Sequence, residues 1–215
     1  RRQSGAGARS PLSAPYDLAV VGGGIHGATV ALFCARAGMK TVLFERGSLC
    51  REASGVNAGT LTMQMTRVAL IPYALQAHAM WASAREWLGH DVGVVVCDGL
   101  SLAFTPREAE LLSFRAGKRR EAGAPIALIS EQAACAVEPG LGEGVLLAGH
   151  CKVDGYANAY LTGQAYRAAL IEAGVDLREE TPVSGVEREE GGFAVQTAAG
   201  PVWTKRLVLA GGVWL

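Results

Sequence analysis

No apolar run in this sequence reaches the roughly 18–20 residues that a membrane-spanning helix needs. The longest, 18–24 and 207–215, read better as buried parallel strands. Net charge is also absent: 20 Lys and Arg balance 20 Asp and Glu. That balance removes the electrostatic case for nucleic acid or an anionic surface as partner. Cysteine is sparse and ill-spaced. Cys34, Cys50, Cys97, Cys135 and Cys151 form no Cys-x-x-Cys pair and show no His spacing suited to zinc. An odd, scattered set of this kind points to reduced core thiols, so a cytoplasmic location is expected, with no disulfide framework and no metal site. There is no internal repeat.

What is there is glycine, 28 of 215 residues, within a chain that is half apolar. This is enough apolar mass for one sizeable core or two small ones. Residues 1–15 are rich in Ser, Gly, Ala and Pro, with three arginines and no acid, and are expected to form a disordered tail. At the other end, the run from Leu207 to Trp214 and Leu215 stops inside a strand-like segment, so truncation is expected.

The opening is compact. Residues 16–21, apolar except for Asp17, lead directly into Gly22-Gly23-Gly24, strand then tight turn. A helix of small and apolar residues over 25–37 follows, closed by Gly38, and 40–45 form a second strand. Strand, turn, helix and strand fit in one βαβ crossover, so the two strands are expected to be parallel.

A loop over 46–60 and a long helix over 67–89 come next, with Pro72 able to break the first turn. Then the texture becomes mixed and antiparallel. Strands over 92–97 and 100–105 are joined by Asp98-Gly99, a two-residue hairpin signal. Pro106 starts a helix that Gly123 ends. Asn158 caps a helix to Ala173, closed by Gly174. Further strands are expected at 175–177 and 183–187, then a hairpin through Gly191-Gly192 and a last strand over 202–209. A βαβ domain is thus interrupted by an α+β insertion and then resumes.

Gly22-Gly23-Gly24-Ile25-His26-Gly27 is a G-x-G-x-x-G element between a strand and a helix. Gly22 permits the turn, Gly24 lets backbone approach a pyrophosphate, and Gly27 lets the helix pack on the sheet. Helix N–H groups, those of Ile25 and His26 included, face the anion. Glu45 lies 18 residues after Gly27, where a carboxylate accepts ribose hydroxyls and repels a 2′-phosphate. FAD or NAD is therefore favoured over NADP. The stretch from Arg51 to Gln64, dense in Gly and small polar residues, favours FAD, since a loop of this composition can bring backbone N–H groups to a second anion or a ring.

That loop, Ser54-Gly55-Val56-Asn57-Ala58-Gly59, resembles the second flavin loop of the D-amino-acid oxidase, glycine oxidase and sarcosine oxidase superfamily. Asp98-Gly99-Leu100-Ser101-Leu102-Ala103, Glu138-Pro139-Gly140-Leu141, Asp154-Gly155-Tyr156-Ala157-Asn158 and Ala210-Gly211-Gly212-Val213-Trp214 are similar to further family segments, in the same order. The resemblance covers 16–215. It implies an α/β fold: a Rossmann-type FAD-binding domain over 16–90 and 154–215, interrupted by part of an α+β substrate domain over 91–153.

It also implies the contacts. Gly22, Gly24, Ile25, His26 and Gly27 would hold the pyrophosphate, and Glu45 the adenosine ribose with Arg46 beside it. Ser54, Gly55, Asn57, Ala58, Gly59 and Thr60 would lie along the pyrophosphate, ribityl and flavin ring. Val183 would present backbone to the adenine, and Ala210, Gly211 and Gly212 would pass close to the dinucleotide. Val56 and Asn57 stand where covalent members often carry His, so FAD is expected to be non-covalent.

The implied reaction is oxidation of the C–N bond of an amino acid or secondary amine. Hydride passes to flavin N5, the imine is hydrolysed, and oxygen or a quinone takes the electrons. The family's substrate-carboxylate residues come later in the sequence than this chain extends, so no catalytic residue is named. Two alternatives stay open: another flavin dehydrogenase of the superfamily, of 2-hydroxy-acid or glycerol-phosphate type, or a truncated non-catalytic product. Elsewhere plain roles are expected. Cys34, Trp81, Trp87, Met63 and Met65 read as packing residues, Lys118-Arg119-Arg120 as a solvated helix end, and His150 as a surface or hairpin residue.

Overall fold

The computed structural model describes residues 16–214; the expected tail 1–15 and Leu215 lie outside the described residues. Two compact units are present, one of the residues up to Val56 with those from Tyr166 on, the other Asn57–Ala165.

The first unit opens with β1 (Leu18–Val21), α1 (Ile25–Arg36) and β2 (Thr41–Phe44). The second holds β3 (Thr60–Leu61), α2 (Ile71–Ala82), α3 (Ala84–Leu88), β4 (Val95–Val96) and β5 (Gly99–Ala103). It continues through α4 (Pro106–Glu121), β6 (Ile126–Ile129), α5 (Glu131–Val137), β7 (Leu147–Cys151) and β8 (Gly155–Tyr156). Helix α6 (Ala159–Glu172) begins in the second unit and ends in the first. The first unit then adds β9 (Asp176–Arg178), β10 (Val183–Glu189), β11 (Gly192–Thr197), β12 (Gly200–Thr204) and β13 (Leu207–Leu209).

In the first unit, β13, β1, β2 and β9 form a parallel sheet in that order, with Val20 opposite Leu43 on one side and Val208 on the other. Residues from both ends of the chain thus share one sheet, and the interrupted βαβ expectation holds. Ala19, Val20, Val42 and Leu43 are fully buried, as parallel strands covered on both faces require. Strands β10, β11 and β12 make a separate antiparallel sheet. Its Val195, with partly buried Val183 and Val202, packs against Ala19, Val42 and Phe44.

In the second unit, β5, β7 and β6 are antiparallel, and α4 starts on a capping box in which Thr105 and Glu108 satisfy each other's backbone. Met63 and Ile71 share a core with Ala116, Ala124, Ile126 and Cys151. That burial ties the segment after Val56 to the second unit, whereas the sequence reading placed its seam at 90/91.

Five local expectations are corrected. Asp98-Gly99 is no hairpin turn: Gly99 is the first residue of β5, which pairs with β7, while β4 pairs with β8. A Cβ at Gly99 would fall 2.4 Å from the Asp154 carboxylate, so the glycine serves close packing. The helix over 67–89 divides at Ser83 into α2 and α3. The strand over 202–209 divides at Lys205 and Arg206, where Thr204 Oγ1 donates to the Arg206 carbonyl at 2.9 Å and the chain changes sheets. Met65 is 78% exposed and no core residue. His150 also departs from its surface role: it is buried, with Nε2 2.5 Å from Asp98 Oδ1.

Candidate functional site

The glycine turn is built by exclusion. Gly22 sits at φ 108°, and a Cβ there would meet the Ala210 carbonyl oxygen at 2.5 Å. A Cβ at Gly27 would stand 1.9 Å from the Gly22 carbonyl oxygen, so α1 lies against the turn at a distance only glycine allows. Ala210 N–H donates to the Val21 carbonyl at 2.7 Å and Gly22 N–H to that of Phe44 at 2.8 Å. The ends of β1, β2 and β13 therefore converge on one turn, at the carboxyl end of a parallel sheet, where open α/β folds bind ligands.

Glu45, the residue after β2, turns into this place. It is 9% exposed. Gly23 N–H donates to its Oε2 at 2.7 Å and Gly47 N–H to its Oε1 at 2.8 Å. A carboxylate offers about four acceptor positions, so among the described residues roughly two remain for hydroxyl donors. The first turn of α1 carries no acidic side chain, and its cap, Gly24, has none to offer. Ser54 supplies the missing acceptor: Ile25 N–H donates to its Oγ at 3.0 Å. His26 is exposed, in keeping with a backbone role.

The other expected residues fall as follows. Gly55 is pinned, since a Cβ would meet the Cys50 carbonyl oxygen at 2.0 Å. Arg46 pairs with Glu52 at 3.0 Å and lies 4.1 Å over the Trp214 ring. Gly211 follows Ala210 along the turn, but Gly212, at φ 63°, faces open space and opens a single 3-10 turn. Val183 sits in the first unit's core, opposite Thr197. Asn57, Ala58, Gly59 and Thr60 belong to the second unit. There Gly59 N–H donates to Asn57 Oδ1 at 2.8 Å, Ala58 is exposed, and Thr60 pairs with Tyr156.

Sequence reasoning missed Gly23 and Gly47, the donors that orient Glu45. Gly23 occupies a variable position of the motif, yet a Cβ there would lie 2.9 Å from Glu45 Cβ. It also missed Glu179, which accepts Leu49 N–H at 2.6 Å; only the tertiary fold brings those residues together. Cys50 is buried beside the site, and burial, then the Glu45 and Glu179 carboxylates, push its thiol up to about 11. It stays protonated and is no nucleophile.

A family profile described as FAD dependent oxidoreductase, DAO, matches residues 17–215. The chain belongs to the DAO family of FAD-dependent oxidoreductases. Glycine oxidase of Geobacillus kaustophilus is 31% identical over 207 residues, 93% of this chain and 55% of that protein. An opine oxidase polypeptide of Rhizobium meliloti is 30% identical over 210 residues, 92% and 56% of the two chains. The crystal structure of the Geobacillus glycine oxidase matches with a TM-score of 0.86 over 93% of this chain and 56% of that one, at 31% identity. An L-amino acid deaminase from Proteus myxofaciens, at 20% identity and a TM-score of 0.85, shares the fold. The chain thus spans about half the length of the relatives it matches.

FAD is the cofactor of this family, and the first unit fits its ADP part on two counts. The turn keeps its close backbone packing, with the first turn of α1 drawn against it, only because Gly22 and Gly27 carry no Cβ. The donor set suits it also: for phosphate, helix N–H groups at an N-terminus with no acidic side chain in its first turn, and for a diol, a carboxylate that among the described residues accepts only two N–H groups.

Proposed function

We propose that this chain is the dinucleotide-holding portion of a DAO-family enzyme that oxidises the C–N bond of a small amino acid or secondary amine. The carrying observation is the Glu45 carboxylate fixed by Gly23 N–H, the backbone of the glycine turn itself. It sets acid and anion-binding amides side by side, as the adenosine and pyrophosphate of one ligand demand. The substrate class rests on relatives named for glycine oxidase and opine oxidase.

Gly22, Gly24, Ile25, His26 and Gly27 present backbone to the pyrophosphate, and α1 adds its positive end. Glu45 accepts from the ribose, and Arg46, already stacked on Trp214, flanks it. Ser54 and Gly55 border the helix N-terminus. Val183 and Ala210 to Gly212 complete the adenosine and dinucleotide contacts in this reading, and Asn57, Ala58, Gly59 and Thr60 are its flavin-side contacts. With Val56 and Asn57 in that loop, attachment is non-covalent. Bound FAD supplies a flavin ring that accepts hydride from the carbon bearing nitrogen, while the protein supplies binding and orientation. The buried, protonated thiols fit a cytoplasmic protein.

Purified chain mixed with FAD tests the reading: flavin fluorescence is expected to fall and the flavin absorbance bands to shift on binding. Anaerobic addition of glycine, N-methylglycine or an N-carboxyalkyl amino acid to the enzyme carrying this chain is expected to bleach the flavin. Bleaching by glycerol phosphate or a 2-hydroxy acid in place of every amine would overturn the substrate class.

A further inference from the structure

Glu45 is held not only at its carboxylate but along its loop. Thr181 N–H donates to the Glu45 carbonyl at 2.8 Å, Glu180 N–H to the Gly47 carbonyl at 2.9 Å, and Leu49 N–H to Glu179 Oε1 at 2.6 Å. Three consecutive residues thus grip the turn over 45–50 at alternate positions. The grip is over-determined at both sides of the contact. Glu180 sits at φ 49° and Cys50 at φ 53°, left-handed conformations that residues with a Cβ keep only where neighbours enforce them.

The carboxylate at the centre of the grip has its own partner. Arg167, on α6, donates through both terminal nitrogens to the two oxygens of Glu179. The Glu179 side chain is 18% exposed, and a carboxylate so covered keeps its charge at low cost only when paired. A fork-on-fork pair fixes the carboxylate's plane as well as its place. Cys50 feels both the Glu45 and the Glu179 carboxylates, so the two acids lie close around the same turn.

We infer that Arg167 and Glu179 are positioning residues: their ion pair, through Leu49 N–H, clamps the turn over 45–50 so that the Glu45 carboxylate stays aimed at an adenosine ribose. This rests on the dinucleotide reading above. The clamp touches no ligand. It acts by removing from the turn the freedom that binding would otherwise have to freeze.

Calorimetric titration with ADP, together with amide hydrogen exchange over 45–50, tests it in the 215-residue chain and in Glu179→Ala, Glu179→Gln and Arg167→Ala. Glu179→Ala is expected to weaken ADP binding about tenfold and to speed exchange at Leu49. Glu179→Gln, which keeps an oxygen for Leu49 N–H, restores protection and brings affinity back to within about threefold of the parent. Arg167→Ala, on the exposed side of α6, loses about threefold and carries the test should Glu179→Ala not fold. ADP affinity unchanged in Glu179→Ala or Arg167→Ala, or lost alike in Glu179→Gln and Glu179→Ala, overturns the clamp and leaves the dinucleotide reading standing. A folded parent chain that binds no ADP overturns that reading and the clamp with it.

Discussion

Glycine crowds both units, yet it is spent differently in each. In the first unit, Gly22 and Gly27 let backbone close around a turn, and Gly23 leaves its N–H to orient a carboxylate. In the second, glycines are consumed by packing. A Cβ at Gly59 would lie 1.8 Å from the Ala157 carbonyl oxygen, one at Gly155 2.2 Å from that of Val95, and one at Gly99 2.4 Å from Asp154. Asp154 itself is more heavily engaged: it accepts from Thr62 Oγ1 at 2.8 Å, Met63 N–H at 2.7 Å and Gln64 Nε2 at 3.5 Å. Both regions hold a buried acid among glycines. Among the described residues Glu45 accepts from two donors and Asp154 from three, so the contrast between a binding acid and a structural one lies in what each already holds.

The contrast is broken most violently at two glycines. Gly59→Ala drives a Cβ into a carbonyl from a left-handed backbone, φ 68°, and is expected to cost about 4 kcal/mol. Gly27→Ala meets a similar clash at 1.9 Å and is expected to cost about 3 kcal/mol. Urea unfolding measures both. ADP binding separates them: what remains folded of Gly59→Ala is expected to bind ADP as the parent does, and Gly27→Ala is not. Equal loss in both would erase the distinction drawn here.

The two acids give the next test. Glu45→Ala is expected to weaken ADP binding about ten- to a hundredfold, as loss of a charged acceptor does. Asp154→Asn is expected to lower stability by about 2 kcal/mol, because one of its acceptors becomes a donor facing donors, while ADP affinity is unchanged. The paired thermal melts and titrations would show a crossed pattern.

The smallest effect concerns the buried thiols, one in each unit. Burial first, then nearby carboxylates for Cys50, lifts the thiols of Cys50 and Cys151 from the ordinary 9.0 to about 11. A raised folded value favours the protonated native state. Its contribution is complete below the ordinary value and is lost as pH climbs through about 11, since the unfolded chain ionises first. Stability measured by denaturant is therefore expected to fall from pH 9 to 11, and less steeply in Cys50→Ala. An unchanged slope in that variant would place the thiol in an ordinary environment.

The first βαβ unit was legible in sequence because each of its signals is local: strand, glycine turn, helix and acid follow one another within 16–45. Gly38, Gly123 and Gly174 marked helix ends for the same reason, each adopting a left-handed backbone just past a helix. Non-local pairings were not legible. Asp98-Gly99 carries the composition of a hairpin turn, but its neighbours pair with β7 and β8 from some fifty residues away. Of the candidate site, Gly22, Gly24, Gly27 and Glu45 could be read from spacing. Gly23, Gly47 and Glu179 could not, because each owes its role to a partner that only the fold supplies.

ADP titration of Glu45→Ala against the parent chain probes the central claim most directly, with circular dichroism to show that both are folded. One ADP is expected to bind per parent chain, with a loss of at least about tenfold in the variant. Equal affinity in the two folded proteins would contradict it.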